Sequence, residues 1–150
     1  MISKDKPIPD TPAEGRYVEF QHHAIEFLVA QLIDFRKVFE GDLDESLIFL
    51  TLARYHLREE RIEPDGDLEY LPVHSLPQAR ISEITEIPRE TTRRKLLALE
   101  RRGLIQKDAQ DRWRIATRDG VPVIRTDYAD YWRREMQRLI KLVRALKPYV

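Results

Sequence analysis

Apolar positions in this chain fall into long helical runs at both ends, with a denser mixed pattern between them. From Tyr17 to Glu40, Phe20, Ala24, Phe27, Leu28, Gln31, Leu32, Phe35 and Phe39 recur at helical intervals. Ile25, Val29 and Ile33 widen that apolar face beyond what one small domain covers. Gly41-Asp42 breaks the run. A second helix, Asp44 to Arg61, carries Leu47, Ile48, Leu50, Leu52, Ala53 and Tyr55 and is apolar enough to be largely buried. Pro64-Asp65-Gly66-Asp67 opens an exposed linker that reaches His74, in which Leu71 and Val73 could pair as a short strand.

The central stretch, Ser75 to Thr117, changes period twice. Ser75 and Gln78 form a capping pair at the start of a short helix, with Ala79, Ile81 and Ile84 facing inward. Thr85-Glu86-Ile87 turns the chain, and Pro88 opens another helix because its missing N–H costs nothing in a first turn. Thr92, Leu96 and Leu99 line one side of this helix, and Gly103 supplies the positive φ that ends it. Two strands follow, from Leu104-Ile105 and from Arg112-Trp113-Arg114-Ile115, around the polar break Asp108-Ala109-Gln110-Asp111. Trp113 and Ile115 point inward, Arg112 and Arg114 outward.

Past a turn at Asp119-Gly120 and Pro122, the residues Val121, Val123 and Ile124 make a brief apolar connection. Thr126 to Lys147 reads as a long terminal helix, capped by Thr126 and stopped by Pro148. Its Tyr128, Trp132, Met136, Leu139, Val143 and Leu146 step by four, four, three, four and three, close to a heptad seam. Arg133, Arg134, Arg138, Lys141 and Arg144 are expected on the outside.

A helix, a tight turn, a second helix and a hairpin in that order make a winged helix. The segment ITEIPRETTRRKLLALERRGLI resembles the recognition half of winged helix-turn-helix transcriptional regulators, in the broad company of the MarR and IclR families. Thr92 stands where many members carry Val. The likeness covers about a third of the chain, and it implies duplex DNA as the partner. Chemistry points the same way. A helix fits the major groove, where Arg bonds guanine bidentately, Glu accepts from cytosine and a Thr methyl meets that of thymine. Arg89, Glu90, Thr91, Arg93 and Arg94 carry those groups within two turns, while Lys95, Lys107, Arg112 and Arg114 suit phosphates. The plainer alternative is a solvated helix face.

Composition changes this picture in one respect. Net charge is zero, yet residues 1–88 hold 9 Lys/Arg against 18 Asp/Glu, whereas residues 89–150 hold 17 against 8. Affinity for nucleic acid depends on charge at the contact face, so the local excess outweighs the sum. The 150 residues contain no cysteine, which excludes disulfides and thiolate metal sites and fits the cytoplasm. No run approaches the ~18 apolar residues of a membrane span. The first fifteen residues lack a signal-peptide core.

The expected architecture is mainly α with a small β-hairpin: a winged helix-turn-helix flanked by long N- and C-terminal helices. Residues 1–16 form a flexible arm, 17–41 an N-terminal helix, 42–120 the DNA-binding domain and 121–150 a dimerisation helix. A homodimer is expected through Phe20, Phe27, Tyr128, Trp132, Met136, Leu139, Val143 and Leu146, which would set two recognition helices about 34 Å apart on a palindrome. In the alternative arrangement both long helices fold back onto their own domain, giving a monomer. Phe20, Phe27, Phe35 and Phe39 suit core or interface more than an effector pocket, so any small-molecule effector stays open. His22, His23, Glu26 and His56 match no zinc pattern, and neither metal nor cofactor is expected. Without a phosphate-cradling loop, a G-x-S-x-G elbow or a cysteine nucleophile, catalysis is not expected either. The competing function is a winged-helix protein–protein module that binds no DNA.

Overall fold

The computed structural model describes residues 16–60 and 75–149, the side chains of residues 59 and 60 excepted. The linker from Pro64, the strand expected at Leu71 and Val73 and the first fifteen residues lie outside the described residues. Helices dominate: α1 (Tyr17–Val38), α2 (Leu43–Glu60), α3 (Gln78–Thr85), α4 (Arg89–Arg101), α5 (Val123–Thr126) and α6 (Ala129–Leu146). Strands β1 (Ile105–Lys107), β2 (Trp113–Ile115), β3 (Thr117–Arg118) and β4 (Val121–Pro122) form two small antiparallel sheets, β1 with β2 and β3 with β4. Two compact units result, one of Phe35–Ala129 and one from the described parts of Met1–Asp34 and Asp130–Val150.

In the first unit, α2 packs against α3, α4 and β2. Asp42 immediately precedes α2, and its Oδ1 accepts the Glu45 N–H at 2.9 Å and so caps the helix. Ile48, Phe49 and Leu52 are buried from α2, Ile81 from α3, Leu96 and Leu99 from α4, and Ile105, Trp113 and Ile115 from the strands. Those side chains make one continuous core. Two expectations for α2 and α3 fail on facing. Leu47 and Ala79 are exposed, while Phe49 and Ser82 take the buried positions.

The turn between α3 and α4 is held by hydroxyls. Glu86 adopts a left-handed conformation with φ 59°, which ends α3, and Pro88 precedes α4. Both Ser82 Oγ and Thr92 Oγ1 donate to the Ile87 carbonyl, and Thr85 Oγ1 donates to that of Ile81. Thr92 is fully buried, so its hydroxyl needs this partner. At the other end of α4, Gly103 N–H reaches Glu100 O at 2.9 Å and Leu104 N–H reaches Leu99 O at 3.1 Å. With Gly103 at φ +74° this is a Schellman closure.

The hairpin registers Ile105 with Ile115, Gln106 with Arg114 and Lys107 with Trp113. Leu76 adds a bridge on the other edge of β2, exchanging N–H and C=O bonds with Trp113, each of 2.8 Å. Ser75 therefore does not cap α3: its hydroxyl donates to Asp108 Oδ2 at 2.6 Å, and α3 starts after Pro77 with no side-chain cap. The Asp119-Gly120 turn closes β3 on β4 in a two-residue hairpin, both residues at positive φ. Two short helices and two small antiparallel sheets in this order are consistent with a winged helix-turn-helix-like arrangement.

The terminal helix differs from expectation at its start. Thr126 ends the short α5 rather than capping the long helix, and α6 begins at Ala129. In the second unit α6 is tied to α1 by charge. Buried Asp34 accepts from Arg134 Nε at 3.0 Å, Arg134 Nη2 at 2.8 Å and Arg138 Nη1 at 2.6 Å. Arg138 also donates to Gln31 and Glu135. Arg134 is exposed, as the pattern implies, and also binds Asp34, whereas Arg138, expected outside, is largely covered within this network. Among the described residues, no helix is long and apolar enough to cross a membrane.

Candidate nucleic-acid interface

The outward side of α4 follows from its buried stripe. With Thr92, Leu96 and Leu99 turned inward, Arg89, Glu90, Arg93 and Arg94 are exposed, and Thr91 is half-buried at the margin. Four charged side chains thus sit within the first two turns. Two of them are paired: Arg93 Nε donates to Glu90 Oε2 at 3.0 Å, and Arg93 Nη2 donates to Glu90 Oε1 at 2.6 Å. The hydrogen bond from Arg93 keeps the Glu90 carboxyl below the usual range.

Lys95, expected among the phosphate-binding cations, is engaged inside the fold. Its Nζ donates to Asp42 Oδ2, the carboxylate whose other oxygen caps α2. That hydrogen bond raises the ammonium's pKa. Asp42 shows the reverse balance: burial would raise it, but Lys95 and the Glu45 N–H leave it lowered. A second tie lies two turns on. Arg102 donates from Nη1 to Glu45 and from Nη2 to the Val38 carbonyl, each at 3.0 Å. Together these bonds fix α4 against the start of α2.

On the hairpin, Lys107 lies over the Trp113 ring at 4.9 Å and pairs with Asp111 at 2.9 Å. Arg112 folds back, donating from Nη2 to the Ser75 carbonyl at 3.1 Å. Arg114 is half-buried opposite Gln106. Neither Arg112 nor Arg114 projects freely from the ribbon as the alternating pattern implied. Asp108 organises the tip: its Oδ1 accepts the N–H groups of Gln110 and Arg112 at 2.9 and 3.0 Å. The bond from Ser75 is the main reason its carboxyl lies below the usual range.

The residues expected at a dimer seam divide. Tyr128 stacks on Phe39 at 6.3 Å between centroids and packs on Phe49 at 5.3 Å, within its own unit. Met136, Leu139 and Val143 are exposed on α6, while Trp132 and Leu146 are half-buried. Phe20 and Phe27 are half-buried on α1, whose exposed apolar side chains include Ile25, Leu28, Val29, Leu32 and Ile33. A cavity of about 530 Å³ lies beside them, lined by Phe27, Ile33, Leu142 and Arg138 among others. His22 Nε2 is 3.4 Å from Glu26. Among the described residues, no three His, Cys, Asp or Glu side chains gather as metal ligands.

Long-range pairs were out of reach of sequence periodicity. Nothing local to Lys95 or Arg138 marks Asp42 or Asp34 as a partner. The β3–β4 hairpin did leave a signal, Asp119-Gly120, which is a strong two-residue hairpin dipeptide. Compared with known proteins, the chain matches no family model, no curated protein and no solved structure.

Proposed function

We propose that the chain is a winged helix-turn-helix, duplex DNA-binding transcriptional regulator acting as a homodimer, with α4 in the major groove. The observation that carries this reading is the exposed Arg89, Glu90, Arg93 and Arg94 set on the first two turns of a helix whose opposite side is core. Those turns are the part of a recognition helix that meets base edges. The β1–β2 hairpin stands beside α4 and supplies Lys107 to the backbone or minor groove, with Asp111 as its resting partner. Lys95 and Arg112 act indirectly, by fixing α4 and the ribbon.

The resemblance to the MarR and IclR recognition segment supports the same reading, as does the excess of basic residues after Pro88. Arg94→Ala and Arg89→Ala should each weaken duplex binding about five- to fiftyfold while leaving the circular dichroism spectrum unchanged. Binding should also fall steeply between ~50 and ~200 mM salt. Unchanged gel-shift titrations for both variants would remove α4 from the interface.

One observation favours a second reading, a protein–protein module. Lys95, Lys107 and Arg112 all have partners within the fold, which reduces the cationic surface left for phosphate. On this reading the pure protein shows no duplex affinity at ~50 mM salt.

A further inference from the structure

We propose that Glu90 is a positioning residue for base recognition: it holds the Arg93 guanidinium in one plane, so that Arg93 reads a guanine of a G·C pair. This rests on the DNA-binding reading above. The geometry is a two-point brace. Nε and Nη2 of Arg93 meet the two oxygens of one Glu90 carboxylate, at 3.0 and 2.6 Å. Both bonds leave from the same edge of the guanidinium. Of its five N–H donors two are then used, and three remain on Nη1 and Nη2. Those three include the parallel pair at the far end, which matches the O6 and N7 acceptors of guanine. Adenine offers N7 beside an N6–H₂ donor, so the same rigid pair meets one acceptor and one donor there.

The brace stands in solvent, where it has little other work. Side-chain exposure is 49% for Arg93 and 69% for Glu90, and exposed i,i+3 pairs add little to stability. A carboxylate on a surface that approaches phosphates also weakens general affinity for DNA. That cost is offset only if Glu90 improves discrimination. The hydrogen bond from Arg93 lowers the pKa of the Glu90 carboxyl, which favours the ionised form that the brace needs.

The test is a random-library duplex selection on wild type, Glu90→Gln, Glu90→Asp and Arg93→Ala, followed by titration of the enriched site and its single-base variants. Glu90→Asp keeps the charge but is too short to span both nitrogens. Wild type should prefer G·C at one position by about fivefold or more. Glu90→Gln and Glu90→Asp should lose most of that preference, at the position that Arg93→Ala also loses. Glu90→Gln should bind random duplex as tightly as wild type, or more tightly. If Glu90→Gln shifts affinity for every sequence by one common factor, or relaxes a different position from Arg93→Ala, the brace is a surface ion pair and the proposal fails. A wild type that enriches no sequence overturns the DNA-binding reading together with it, so the two failures differ in the wild-type arm.

Discussion

Asp34 is the residue on which the second unit's charge network converges. Its side chain is 9% exposed and receives three N–H bonds from Arg134 and Arg138. Arg134's hydrogen bond outweighs the cost of burial and leaves the carboxyl below its ordinary range. The sign of the pH effect follows. A carboxyl depressed in the folded state stabilises fully above its unfolded pKa, about 4, and that contribution is lost as pH falls through the lower folded value. Asp34→Asn leaves Arg138 near Glu135 with half its counter-charge gone. Because Arg134 is half-exposed, the expected loss is about 2 kcal/mol at neutral pH rather than the larger cost of a fully buried pair. Denaturant unfolding at pH 7 and at pH 3 checks this: the gap between wild type and variant should narrow at the lower pH. Beside it, burial pushes the Tyr131 phenol up to about 12, so that ring stays neutral throughout the range.

At the scale of elements, what the sequence could show was local chemistry. Pro88, Gly103 and the Thr92-Leu96-Leu99 stripe each act within a turn or two of themselves; Gly103 and the stripe are found as read, and Pro88 stands one residue earlier, as the N-cap of α4 rather than in its first turn. Gly103→Ala should therefore destabilise the first unit by about 1 kcal/mol, read as a lower denaturation midpoint. Among the described residues, the near atom to an added Cβ is Arg118 Nη2, at 3.7 Å, so the cost is backbone conformation and not a clash. An unchanged midpoint would mean that the α4 terminus relaxes out of its positive φ. What escaped was interaction across distance. Ser75 suits a helix cap by sequence, yet Asp108, 33 residues on, takes its hydroxyl once Leu76 pairs with Trp113. Thr92 stands where the resembled families often carry Val; its hydroxyl shares the Ile87 carbonyl with Ser82 and pins the turn. The candidate interface was legible in the same partial way. Its exposed residues follow from helical period, whereas the pairing of Lys95 depends on where α2 begins.

For the whole molecule, the apolar surface left exposed among the described residues is the feature that most needs an explanation. Leu28, Leu32 and Val29 on α1 are 52–54% exposed, and Met136, Ile140 and Val143 on α6 are 48–67% exposed. Fully burying a side chain of this kind is favourable by about 1.5–3 kcal/mol, so the exposed half of each is worth about 1 kcal/mol before association costs, and a stable interface needs roughly 800 Å² per partner. Six side chains of this size can supply a large part of that area. The surface is the same on every copy, and a two-fold axis lets it cover itself. The expectation is thus a dimer in sedimentation equilibrium at micromolar protein, with Leu32→Glu and Val143→Glu each shifting it toward monomer by tenfold or more in Kd. Neither position belongs to the first unit's core, so both variants should retain wild-type helicity. DNA binding then separates two arrangements. If two copies of α4 occupy successive turns of one palindrome, a monomeric Leu32→Glu chain should lose affinity for the full site and bind an isolated half-site as wild type does. Equal affinity of the variant for full and half sites, with the wild type showing the same equality, would mean that the apolar faces of α1 and α6 serve something other than spacing two recognition helices.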